Sequence, residues 1–226
     1  MLVAADEPGS GITDREVSGN VLTMLLAGED TTANTLAWTL HLLWTNPAAL
    51  ARAADEVHRV CGDSPVPTLD QIAQLDYVEA CTHEAMRLKP VAPQTGIEAL
   101  RDTTLGDVHI PKGMVVIGVM RRDATSERHM PHPTAFEPER WRGDAAPAAS
   151  SARRVSMPFG AGPRICPGRY LAGDEDGAGG ASGALRVASV ATVDGLPPRE
   201  LLQLAMAPVG LTMKLHERER AGFDAA

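Results

Sequence analysis

The stretch Phe159 to Gly168, FGAGPRICPG, presents one cysteine, Cys166, between two arginines, Arg164 and Arg169, in a turn of glycines and prolines. Glycine permits positive φ and close approach of the backbone to a ligand, while Pro163 and Pro167 stiffen the loop around the sulfur. Positive neighbours favour the thiolate, which is the form of cysteine that binds metal. A surface turn with an inert cysteine is the plain alternative. His129 and His132 are three apart, but Met130 and Pro131 lie between them and no third ligand is near, so they do not read as a metal pair.

The elements that must position these residues begin with a Gly/Pro/acidic lead-in, residues 1–12, and a capping-box spacing at Thr13 and Glu16. No proline interrupts Asp14 to Thr45, which predicts one helix of about 48 Å at 1.5 Å per residue. Gly28 and the paired threonines of AGEDTT, Ala27 to Thr32, weaken that helix at its middle, so a packing glycine at a helix crossing or a functional site is expected there. Asn46 and Pro47 open a second helix that ends at Cys61 and Gly62, with Asp55, Glu56, His58 and Arg59 as its wet face. A short helix from Leu69 to Leu75 and a longer one from about Tyr77 to Lys89 follow, the latter stopped by Pro90 and Pro93. Ile97 to Val119 alternates apolar and polar residues around turns at Gly106 and Gly113, which predicts three or four short strands. Residues 121–138 read as irregular and 143–152 as a flexible insert.

Composition narrows the function. The 226 residues are 44% hydrophobic, enough to bury a core, and the net charge of −8 without a long run of one sign argues against nucleic acid and anionic membrane surfaces as partners. The three cysteines show no disulfide-like or CxxC spacing, no apolar run has the length of a membrane span, and the N-terminus lacks a signal-peptide pattern. A soluble protein in the reducing cytoplasm is the expectation.

Phe159, Gly162, Arg164, Cys166 and Gly168 match FxxGxRxCxG place for place, and on these residues the chain resembles the cytochrome P-450 family. The resemblance implies a haem-thiolate monooxygenase with Cys166 as axial ligand to the iron and Arg164 at a haem propionate. AGEDTT matches that family's AGxDTT, where Ala27 and Gly28 leave room for dioxygen while Asp30 and Thr31 supply protons. Heterolysis of O–O needs protons brought into an apolar pocket by a positioned acid and hydroxyl. Glu84 and Arg87 are an i, i+3 pair of the kind common on helix surfaces. By resemblance they are the family's ExxR pair and form, with Arg140 of Pro138–Trp141, a buried structural triad. The resemblance further implies a ferredoxin or reductase as electron donor and an apolar small-molecule substrate. The basic residues Arg153, Arg154, Arg164 and Arg169 read either as the docking face for that donor or as simple solvation.

The implied fold is mainly α with a small β component, the C-terminal half of the family's fold, and residues 1–226 are expected to form a partial domain. The expected helix after Cys166 is replaced at 173–184 by GDEDGAGGASGA, a segment too rich in glycine to be read as a helix. Family-like strands are expected again at Leu185–Val190 and Leu201–Leu215. A shifted reading frame and a natural linker insertion both account for the break. Beside the monooxygenase stand two other readings, an inactive truncated or frameshifted remnant and a haem-binding module without turnover.

Overall fold

In the computed structural model, which describes residues 2–62, 66–142, 152–170, 172, 179–192, 197–203 and 205–217, a single turn α1 (Leu2–Ala5) leads into the long helix α2 (Asp14–Thr45). The capping box starts α2: the Thr13 hydroxyl accepts the Glu16 N–H at 3.3 Å, and Glu16 Oε2 accepts the Thr13 N–H at 2.8 Å. Burial divides the helix. Residues 18–30 are exposed, whereas Thr35, Trp38, Thr39, Leu40 and Leu43 are buried in the core. Trp38 Nε1 donates across the structure to the Met206 carbonyl at 3.1 Å.

Helices α3 (Pro47–Cys61), α4 (Leu69–Ile72) and α5 (Asp76–Leu88) complete the core with α2. The helical spacing of Ala49, Ala53, Val57 and Cys61 gives α3 an apolar stripe that packs with Leu43, Leu75, Val78 and Cys81. Helix α5 is buried along nearly its whole length, from Tyr77 to Leu88. One sequence expectation fails here. Glu56 is not on a wet face but buried, because α3 turns it onto the start of α5.

The four short strands arrive as expected. β1 (Gln94–Glu98) pairs antiparallel with β4 (Val115–Val119), and β2 (Thr103–Leu105) with β3 (Val108–Ile110). Gly106 and Gly113 take φ of +61° and +83° at the predicted turns, where a side chain would be strained. The segment expected to be irregular opens instead with α6 (Met120–Ala124), and a 3-10 turn covers Pro138–Trp141.

The largest departure is α7 (Gly179–Val187), a helix that starts within the segment whose glycines argued against one. Its reason is tertiary. A Cβ on Gly180 would lie 3.1 Å from Leu36 and one on Gly179 3.3 Å from Ile72, while Ala181 and Ser182 are buried, so small residues let α7 approach α2 and α4 closely. Packing of that kind overrides weak intrinsic propensity. The helix also runs through Leu185 to Val187, so strand β5 (Ala188–Thr192) starts later than expected; it pairs with β8 (Met213–Glu217), and β6 (Arg199–Leu202) with β7 (Met206–Val209). The expectations for residues 143–151 and 173–178 lie outside the described residues. The architecture is mainly helical with small antiparallel sheets, and among the described residues no helix is long and apolar enough to cross a membrane.

Candidate functional site

Arg87 and Glu84 sit one turn apart on α5, both with fully buried side chains. Arg87 Nε and Nη2 donate to the two Glu84 carboxylate oxygens at 2.8 and 2.7 Å. Its remaining donors reach backbone carbonyls: Nη1 to Ala124 and Pro133, both at 2.6 Å, and Nη2 also to Ala135 at 3.1 Å. One guanidinium therefore gathers α5, α6 and the segment after it. Glu84 is equally engaged, accepting the Glu137 N–H at 3.0 Å and the Trp141 indole N–H at 2.8 Å.

Arg140 joins this network from its edge. Its Nε lies 3.4 Å from Glu84 Oε1 yet is buried without a hydrogen-bond partner among the described residues, so the contact is electrostatic and poorly aligned. Its Nη2 donates to the His132 carbonyl at 2.8 Å and pairs with Glu137 Oε2 at 2.7 Å. Trp141 and the Glu137 backbone, rather than Arg140, make the direct hydrogen bonds to Glu84. The indole was missed in the sequence because tryptophan reads first as core; its place beside Arg140 in a segment paired with Glu84 and Arg87 was the available signal. His83 stacks on Trp141 with ring centroids 5.0 Å apart and holds Glu79, whose carboxyl it keeps below the usual range through a 3.3 Å hydrogen bond.

Phe159, the first residue of the cysteine loop, and Pro158 before it line a cleft together with Glu79, His83, Trp141 and Arg153. Gly160 and Gly162 adopt φ of +71° and +69°, the conformation that the glycine pattern anticipated. The Cys166 N–H donates to the Phe159 carbonyl at 2.9 Å and closes the loop. Cys166 is half-buried, Gly168 stands beside its sulfur, with room for a Cβ at 3.9 Å, and Arg164 is exposed two residues away. Cys61 and Cys81 are buried in helices, and burial, reinforced by the Glu56 carboxylate, pushes the Cys81 thiol well up. Of the three, Cys166 is the one that is not fully buried.

Ala27, Gly28 and Asp30 lie on the exposed part of α2, with Thr31 half-buried. The Thr31 hydroxyl donates to the Ala27 carbonyl at 2.6 Å, one turn back. A Cβ on Gly28 would meet nothing within 4 Å, so packing inside this chain does not call for glycine there. Of the four basic residues near the loop, Arg153 donates to the Trp141 carbonyl at 2.6 Å, and Arg169 reaches the Cys166 carbonyl and the Tyr170 hydroxyl. Arg154 and Arg164 are exposed. His129 and His132 face separate carboxylates, Asp123 and Glu137.

Comparison with known proteins agrees with this geometry. The family model described as Cytochrome P450 matches residues 1–175, ending just inside the Gly-rich segment. Human "Cytochrome P450 4A11" is 32% identical over 176 residues, covering 77% of this chain and 33% of that protein. "Cyclooctat-9-en-7-ol 5-monooxygenase" of Streptomyces melanosporofaciens is 34% identical over 173 residues, covering 76% and 37%. The crystal structure of the cytochrome P450DA heme domain superposes with a TM-score of 0.83 at 29% identity, over 95% of this chain and 47% of that one. The chain thus spans about a third of the length of these two curated relatives and about half of the solved domain. With the family model running through both the α5 network and the cysteine loop, the chain belongs to the cytochrome P450 family of haem-thiolate iron proteins.

Proposed function

We propose that this chain carries the thiolate-bearing and proton-supplying part of a haem monooxygenase, which inserts one atom of dioxygen into an apolar organic substrate and releases the other as water. The single observation that best supports this reading is the setting of Cys166, a half-buried thiol closed into a loop by the Phe159 carbonyl, beside glycines at positive φ. The donor set fits the group: one cysteine sulfur for the iron, and the exposed Arg164 for a propionate carboxylate. When bound, the haem supplies the redox chemistry, and a thiolate ligand biases it towards O–O cleavage.

The remaining roles fall to this chain's own side chains. Asp30 is the proton donor, and Thr31 relays the proton once its hydroxyl, which donates to the Ala27 carbonyl at 2.6 Å, turns its own hydrogen towards the acceptor while its oxygen takes up another. Ala27 and Gly28 keep the helix surface low beside them. Glu84, Arg87 and Arg140 hold α5 to the segment through Trp141 and take no part in the chemistry. Residues 24–31, 91–97 and 206–211 contribute apolar lining for the substrate. A ferredoxin or reductase delivers electrons at the cysteine face, with Arg154 and Arg164 as the basic residues exposed to meet it.

The test is a carbon monoxide difference spectrum of the reduced, haem-loaded chain. A thiolate-haem band that disappears in Cys166→Ala supports the assignment, and a band that persists in that variant makes it wrong. The short span relative to the curated relatives favours a second reading, a haem-binding part without turnover. A thiolate band without oxidation of any apolar substrate selects that reading, and a wild-type chain with no band selects an inactive remnant.

A further inference from the structure

Helix α5 begins without a cap of its own: Leu75 stands at the N-cap position and makes no side-chain cap hydrogen bond. Its first amides are met from another helix. The Glu56 carboxylate, on α3, accepts the Tyr77 N–H at 2.8 Å and the Val78 N–H at 2.9 Å through Oε2, with a further 3.0 Å contact from Tyr77 to Oε1. Glu56 is only 8% exposed, so a buried carboxylate is compensated by helix amides and by the positive end of the α5 dipole. One turn earlier on the same face of α3, the Arg52 guanidinium lies 4.2 Å over the Tyr77 ring and pairs with Glu139 in the Pro138–Trp141 turn.

Two side chains of α3 therefore hold the first turn of α5 and the 3-10 turn together at one end. Two turns further along α5, Glu84 binds the same 3-10 turn at Trp141 and the residue before it at Glu137. Seven residues separate Tyr77 from Glu84, two turns of helix that bring both to one face. A shift of α5 along its axis at Tyr77 moves the Glu84 carboxylate away from the indole by the same distance.

We propose that Glu56 is a positioning residue for the Glu84–Trp141 contact: it sets where α5 begins along its axis, and Arg52 sets how far the 3-10 turn lies from it, so that Glu84 and Trp141 meet. The inference rests on the haem-thiolate reading only for its consequence to the haem; its geometry concerns the chain alone. The test is hydrogen exchange followed by NMR on the chain without haem, so a failure to load haem does not enter it. In Glu56→Gln, the Tyr77 and Val78 amides and, beyond them, the Trp141 indole N–H and the Glu137 amide are expected to exchange about tenfold faster, while the Trp38 indole on α2 is unchanged. Asp55→Asn, on the exposed side of α3, is the control and leaves all of them unchanged.

Acceleration confined to Tyr77 and Val78 overturns the proposal, since Glu56 is then a local cap only. If Glu56→Gln loosens the whole chain, Trp38 included, Glu56→Asp is read in its place, because it keeps the charge and shortens the reach by one methylene. Selective loss at Trp141 in Glu56→Asp supports positioning; equal loss at Trp38 and Trp141, or none at Trp141, overturns it.

Discussion

Arg87, in the buried α5 network, and Arg164, in the cysteine loop, are used in opposite ways. Arg87 commits all three of its nitrogens to partners inside the protein, two carboxylate oxygens and three carbonyls, with no exposure. Arg164 is exposed, in a loop whose shape comes from glycine conformations and a few backbone hydrogen bonds. The α5 network is closed upon itself, whereas the cysteine loop presents its arginine outward. Stability and ligand binding should therefore be separable in this chain: substitutions at the first should unfold it, and substitutions at the second should leave it folded and change only what it holds.

The sharpest way to break that contrast is Arg87→Ala. It strands the buried Glu84 carboxylate and should cost about 3 to 5 kcal/mol, since an unpaired buried charge is far worse than no pair at all. Urea unfolding measures it, and a loss under about 1 kcal/mol, the range of an exposed pair, ends the claim that the network is closed. Trp141→Phe keeps the ring and removes only the indole donor to Glu84, with an expected loss of about 1 to 3 kcal/mol. On the other side, Gly162→Ala puts a Cβ on a residue at φ +69° and should cost about 1 to 2 kcal/mol, felt as a loosened loop rather than as global unfolding.

Cys166→Ala should stay within about 0.5 kcal/mol of the wild type in the same urea titration while removing the thiolate-haem band. The smallest expected effect is electrostatic. Glu200 joins Arg121 and Lys89, and the hydrogen bond from Arg121, aided by that from Lys89 and opposed by burial, holds its carboxyl below the usual range. Its folded value is thus below its unfolded one, so this contribution is present above about pH 4.3 and disappears as pH falls through the lowered value. Glu200→Gln should flatten stability across that acid window and nowhere else, as read by urea midpoints at a series of pH values.

The contrast also explains which parts were legible beforehand. The cysteine loop could be read because its geometry is local: positive φ at Gly160 and Gly162 is a property that glycine carries with it. The start of α2 was legible for the same reason, a cap and its partner three residues apart. Glu56 was misread because nothing within its own helix marks it; its partners lie 21 and 22 residues away. Helix α7 was missed because its reason is the closeness of Leu36 and Ile72, which no window of its own glycines contains.

By itself the sequence determined the ends and extent of α2, the turns of the four central strands, the cysteine loop and, through its motifs, the family. All of these rest on residue types a few positions apart, where backbone preference and spacing act directly. Only the tertiary structure decided that Glu84 is met by an indole and a backbone amide before Arg140, that Glu56 caps a neighbouring helix, and that glycines at 179 and 180 form a helix. Those outcomes depend on burial, where an unpaired charge or amide is costly and the nearest available partner, however distant along the chain, is the one that is used.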